Sequence, residues 1–407
     1  MKIFKDTLQA FINNLTLNQT TLMSKLFREE YLGRHAESLY DIGRQISYQS
    51  PEFLDLKIYL MYYHHFVERN FDKSAELIKE IENDIKFLEP SLLAQMIYHL
   101  SVTNNEAYLN WNVSNAHANK ALELCKRVTP DSLRTEYEAE ILTSFIQALM
   151  NFGMYEKALE IKEILMKHSK VVQNKMTQLI SVLVLTEACI VNAKYQEALE
   201  LIAVNESILK GNKDLERYSS LISVQKAETL LGTHNYKKAV EVSNTCLKNL
   251  KNTFSTDLNH EYIKVVCIKS ESLLRLKKYD EALDCIGPLT DRLIADVHYQ
   301  KDALKGKVLR VIGEILESRG DLLRALTSYQ DAETQYENIL QHTQPEELSC
   351  LYERIAITFV KLRDEIEAKR YLSKHIERFG LNHKRSLLIK QALSGGSLSA
   401  HQNQLSK

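Results

Sequence analysis

Glycine and proline are scarce: 12 and 5 in 407 residues, about 4% together, where soluble proteins average about 12%. So few turn formers exclude the many tight reversals of a β-sandwich or barrel and disfavour a doubly wound sheet. Cysteine is sparse and scattered. Cys125, Cys189, Cys246, Cys267, Cys285 and Cys350 stand singly with no C-x-x-C, so neither a zinc site nor a disulfide framework is expected, and the thiols read as reduced and buried. Long apolar runs are missing too. The greasiest, residues 179–185, falls far short of the roughly 18 needed to span a bilayer. The start, Met1-Lys2-Ile3-Phe4-Lys5-Asp6, has no uninterrupted apolar stretch behind its lysines and does not read as a secretory signal. Nor is there an excess of one charge: 52 Lys and Arg face 53 Asp and Glu, a net of −1. That balance argues against nucleic acid or an anionic membrane as the main partner. The expectation is a cytoplasmic protein with no membrane partner. A content of 44% hydrophobic and 26% charged residues allows large cores, in two or three domains or one extended array.

Internal repetition is present instead. A large residue followed three positions later by alanine recurs at Tyr155/Ala158, Tyr195/Ala198, Tyr236/Ala239, Tyr279/Ala282 and Leu322/Ala325. Weaker copies extend the series at Phe71 with Ser74-Ala75, Val113/Ala116 and Glu365/Ala368. The first positions step by 42, 42, 40, 41, 43, 43 and 43 residues, too regular for chance. The phrase suits a bend between helices: the large residue fills the corner, and alanine stands where a bigger side chain would push the two rods apart. An amphipathic run precedes the phrase (Ile141, Phe145, Leu149) and another follows it (Ala158, Ile161, Ile164, Leu165), giving helix–turn–helix units. Pro51, Pro90 and Pro130 lie 39 and 40 apart, each opening a helix-starting segment, and Pro345 repeats the signal. Pro288 falls inside an expected second helix and should kink or end it.

The unit around Ala325 resembles the tetratricopeptide repeat. Ile312-Gly313 stands where that family has Leu-Gly, followed by Gly320-Asp321, Ala325 and Tyr329. The family's first-helix tryptophan is absent, the lone Trp111 not being at that position, and the period exceeds the usual 34 residues. Longer units of this kind resemble those of bacterial peptide-sensing regulators of the Rap and related families and of kinesin light chains. The likeness covers roughly residues 52–392. It implies an all-α, right-handed α-solenoid of about eight units with helical caps, binding a protein or peptide in its concave groove. The Rap resemblance further implies an N-terminal helical bundle that engages a response regulator, as an accessory phosphatase or an anti-activator.

The expected organisation is an N-terminal helical cap or degenerate repeat over 1–50, a repeat array over 51–380, a capping helix over 381–393 and a disordered polar tail over 394–407. Within the first segment, helices are expected from Ile3 to Asn14, Thr20 to Tyr31 and Arg34 to Tyr48; no recognisable DNA-reading motif is present. Between Lys361 and Lys390, nine Lys and Arg face four Asp and Glu. That local +5 could meet an acidic or phosphate-bearing partner, nucleic acid included, or could be a solvated cap with cations near helix C-termini.

No phosphate loop, dinucleotide fingerprint, zinc-protease, nucleophile-elbow or calcium-loop spacing occurs, so no catalytic residue, cofactor or metal is expected. His64 and His65 are adjacent and would point about 100° apart on a helix, poorly placed to share an ion. The aromatic residues Phe53, Tyr59, Tyr62, Tyr63 and Phe66 read as packing against the N-terminal helices or as a docking face. One polar column stands out. Glu187, Glu228, Glu271 and Glu314 each lie eight residues before a bend, with Lys264, Lys307 and Arg310 one or two turns earlier. These seven are the candidate peptide-binding residues: the glutamates could accept from a peptide's amides or basic side chains. Alternatively each glutamate pairs with a basic neighbour from the next unit and holds the stack in register. Self-association is left open.

Overall fold

The structure, a computed structural model, describes residues 1–16, 21–22, 30–68, 70–107, 110–253, 260–295, 303–339 and 346–395. These residues are helical, with no strand among them. In chain order the helices are α1 (Lys2–Thr16), α2 (Glu30–Gln45), α3 (Pro51–Tyr63), α4 (Phe71–Asp84), α5 (Leu92–Glu106), α6 (Trp111–Cys125), α7 (Asp131–Asn151), α8 (Tyr155–Val171), α9 (Lys175–Val191) and α10 (Tyr195–Leu209). They continue with α11 (Ser219–Gly232), α12 (Tyr236–Thr253), α13 (His260–Arg275), α14 (Tyr279–Ala295), α15 (Ala303–Ser318), α16 (Leu322–Ile339), α17 (Glu346–Lys361), α18 (Glu365–Phe379) and α19 (Lys384–Leu393). A π-turn, His64–Glu68, ends α3, and a short 3₁₀ turn, Lys213–Tyr218, precedes α11. The tail from 396 onward, Pro345 and most of the expected Thr20–Tyr31 helix lie outside the described residues.

Eight second helices begin at Phe71, Trp111, Tyr155, Tyr195, Tyr236, Tyr279, Leu322 and Glu365. Three positions further on stand Ser74, Ser114, Ala158, Ala198, Ala239, Ala282, Ala325 and Ala368, all 0% exposed. The corner argument therefore holds along the whole array, with one change of register. The second unit turns at Trp111 and Ser114, not at Val113 and Ala116. Ala116 faces solvent, because serine is small enough for the crossing and the sequence pattern was anchored on alanine. The tight turn before the second helix also has a repeated form. Gly153, Ala193, His234, Lys277, Gly320 and Arg363 all have φ between 55° and 84° and stand two residues before the next helix. At most of them the following amide closes back on the helix end, as in Lys278 N to Leu273 O at 2.9 Å and Asp364 N to Phe359 O at 2.9 Å.

Helix starts follow local chemistry. Ser50 accepts from Phe53 N, with Pro51 in the first turn, and Ser91 does the same for α5. Pro288 does not end its helix: α14 runs through it to Ala295. Ile286, Leu289 and Leu293, all at most 3% exposed, hold that helix in the core, and their burial outweighs the roughly 3 kcal/mol that an internal proline costs.

The described chain forms two compact units, Met1–Asn192 with Ala203–Gly211, and Ala193–Ile202 with the described residues of Asn212–Lys407. In the first, α1 and α2 both pack on α3, and the first helices of successive pairs, α3, α5, α7 and α9, pack on one another. In the second, α11, α13, α15, α17 and α19 form the equivalent layer. Close approach of α2 to α3 needs glycine. A Cβ on Gly33 would overlap the Tyr63 ring at 2.1 Å, and one on Gly43 would meet the Phe53 ring at 2.3 Å. Phe53 also lies against Phe4, Tyr40 and Tyr48, and Tyr59, Tyr62 and Tyr63 are at most 2% exposed. These rings of the aromatic cluster are therefore packed inside the unit; the Phe66 side chain lies outside the described set. The six cysteines are free, four of them buried. Among the described residues no helix is long and apolar enough to cross a membrane.

Candidate functional site

Within each compact unit, the layer of first helices brings side chains from successive helical pairs together, so it is where a ligand could be read by several helices at once. Its chemistry differs between the two units. In the first it is mostly neutral: Asn104 donates to Ser144 at 3.3 Å between α5 and α7, and the Thr143 and Ser181 hydroxyls lie 3.0 Å apart between α7 and α9. Buried carboxylates serve loops here. Asp55 accepts from Ser91 N at 2.9 Å, and Glu136 accepts from Gln173 N and Asn174 N.

In the second unit the same layer is ionic. Arg310 on α15 lies between two carboxylates: Nη2 is 2.7 Å from Glu271 on α13, and Nη1 bonds Glu314 one turn along its own helix. Lys307 reaches Glu228 on α11 at 3.8 Å, and Arg275 reaches Glu314 at 3.6 Å. The pattern continues toward the chain's end. Glu317 takes Lys361 at 2.5 Å, Arg354 at 3.8 Å and the Tyr329 hydroxyl at 2.7 Å. Glu353 on α17 takes Arg385 on α19 at 2.5 Å, and outside this layer, between the second helices α16 and α18, Glu333 takes Lys374 and the Tyr371 hydroxyl. Burial alone would raise the Glu314 carboxyl, but the guanidiniums of Arg310, Arg354 and Arg275 hold it down at about 2. Lys307 is raised by Glu228 and Glu271 against its own burial. The ladder is not sealed: 45% of the Arg275 side chain and 39% of Lys361 remain exposed.

The sequence matches no protein-family model and no curated protein. Its structure does have counterparts. The apo form of the quorum sensor NprR from B. thuringiensis superposes with a TM-score of 0.63 at 12% identity, covering 92% of this chain and 98% of that one. A Rap protein complexed with competence and sporulation factor gives 0.50 at 13% identity, over 87% and 85% of the two chains. NprR in complex with its cognate peptide NprX gives 0.50 at 14%, over 76% and 84%. The fold is that of the NprR and Rap proteins.

On this NprR-like scaffold, five of the seven candidate residues are ion-paired: Arg310 with Glu271 and Glu314, and Lys307 with Glu228. Lys264 lies half-buried on α13, and Glu187 is half-buried on α9 in the first unit. Arg310 joins α15 to α13, and Lys307 reaches past α13 to Glu228 on α11. Sequence reasoning missed Arg275, Glu317, Arg354 and Lys361. Two signals pointed to them: Glu317 follows Glu314 by three on one helix face, and Arg354 follows Arg310 by one repeat. The basic stretch near the end is largely spoken for, since Lys361, Lys369, Arg370, Lys374 and Arg385 are each ion-paired.

Proposed function

We propose that this chain is a non-catalytic, peptide-binding regulator whose ligand lies along the layer of first helices. The carrying observation is the likeness over nearly the whole of both chains to a quorum sensor, a fold also solved with a cognate peptide bound. The ionic ladder of the second unit supports it. Its paired inner groups fix the spacing of successive helices, while the exposed ends of Arg275 and Lys361 offer charged contacts to an extended ligand. Binding would tighten the array and alter a surface used by a second protein, with a response regulator as the partner implied by the Rap-like fold. A cytoplasmic location and action without cofactor or catalysis belong to the same reading. Nucleic acid is the weaker alternative, because the chain has no net basic excess and five of the nine basic residues between Lys361 and Lys390 are ion-paired.

The test is retention of short synthetic peptides from a mixed library by the full chain on gel filtration, with bound peptides read by mass spectrometry. Retention of a defined subset, weakened by Arg275→Gln and Lys361→Gln without loss of helicity, is the expected result. No peptide retained would sink the proposal.

A further inference from the structure

Away from that layer, the junction of α2 with the π-turn after α3 gathers ligating groups that the proposed function does not use. His64 is only 3% exposed, with Nδ1 2.7 Å from Glu68 Oε2 and Nε2 3.6 Å from Glu37 Oε1. One donor atom from each of the three lies within 4.8 Å of the others. Each ring nitrogen thus faces a carboxylate oxygen, and two carboxylates gathered on one buried imidazole concentrate negative charge beside a nitrogen donor, the setting in which a bound cation is stabilised. Lys73 supplies some positive charge, 3.0 Å from Glu37 Oε1, but its side chain is 51% exposed and free to swing outward.

We propose that this cluster binds a divalent transition-metal ion of the zinc type, taken by His64 Nε2 and Glu37, with Glu68 orienting the imidazole through Nδ1–H. Nitrogen and carboxylate donors at about 2.0–2.2 Å suit Zn²⁺ better than the all-oxygen shells of Ca²⁺ or Mg²⁺. The carboxylate–histidine–metal relay fixes the tautomer that coordination requires. Water would complete the shell from the side where Glu37 and Glu68, each about 30% exposed, meet solvent. Lys73 and the ion then compete for one oxygen, so the lysine is a built-in antagonist of binding.

Calorimetric titration of chelator-treated full chain with Zn²⁺ tests this, with Co²⁺ absorption as a second readout of the nitrogen–oxygen shell. One equivalent should bind. Glu37→Gln should abolish binding, Glu68→Gln should weaken it about 10- to 100-fold, and Lys73→Ala should tighten it. His99→Gln should leave it unchanged, which separates the site from the second histidine pair, His99 and His117, whose Nδ1 atoms lie 3.1 Å apart. The three partly exposed variants keep the test valid even if changes at buried His64 unfold the chain. Absence of binding, binding that survives Glu37→Gln, or weaker binding in Lys73→Ala would each overturn the assignment.

Discussion

Replacing Arg310 by methionine would keep a long, flexible side chain while removing the charge that two carboxylates share. Glu314, with 4% of its side chain exposed, and Glu271, with 14%, would lose their guanidinium. The Glu314 carboxyl stands at about 2 against an ordinary 4.5, a difference of about 2.5 that corresponds to roughly 3 kcal/mol at about 1.4 kcal/mol per pKa unit. Arg354 and Arg275 supply part of that, but a buried charge left uncompensated typically costs about 3–5 kcal/mol. The expected penalty at pH 7 is therefore about 3 kcal/mol. Its pH dependence follows from the sign. A depressed carboxylate contributes fully above 4.5, and the contribution is lost as pH falls from there through about 2. Urea unfolding followed by circular dichroism at pH 7 and pH 3 measures both. Arg310→Met should be much the less stable at pH 7, with the gap narrowing at pH 3, and adding Glu314→Gln should recover part of the loss. A variant within about 1 kcal/mol of the parent at pH 7, or an equal penalty at both pH values, would refute the reasoning.

Three further outcomes are expected. Burial raises the Asp55 carboxyl to about 6 from 3.8, so the native state loses up to about 3 kcal/mol as pH rises through that window. Asp55→Asn should thus stabilise the chain at pH 7.5 but not at pH 3.5, and an equal effect at both would contradict the burial argument. Ala282→Leu, at a corner with no exposure, should destabilise by roughly 1–3 kcal/mol in thermal unfolding; a neutral result would mean that the helices do not meet there. Lys277→Gly, at an exposed position with φ of 61°, should raise stability by about 1 kcal/mol by relieving a left-handed backbone. No gain would show that the turn relaxes in solution.

The corners were legible because a repeated steric demand leaves a repeated residue: alanine at Ala158 through Ala368. Where serine met the same demand, at Ser114, the pattern slipped by two residues. The left-handed turn position carried glycine only at Gly153 and Gly320; at His234, Lys277 and Arg363 the backbone accepts the strain and the residue type gives no sign of it. At Pro288 the local rule allowed a kink or a stop; the helix continues because Ile286, Leu289 and Leu293 are buried, and their contribution depends on neighbours distant in sequence. The glutamate column was visible as spacing, but its partners were not. Glu228 meets Lys307 across 79 positions, a distance over which only the completed stack decides who pairs with whom. His64 had the opposite fate: its ligating neighbour Glu37 belongs to another helix, so attention fell on adjacent His65.

Arg310, clasped by one acid from its own helix and one from α13, makes the hairpins of the second unit individuals and not copies. A generic array can gain or drop a module almost anywhere, because every joint is alike. Here the joint between α13 and α15 has a charge of its own, because Arg310 stands where α13 carries Cys267, so excising α15–α16 would leave Glu271 without its guanidinium. Loss of that hairpin would cost this half of the chain an ion pair as well as a module.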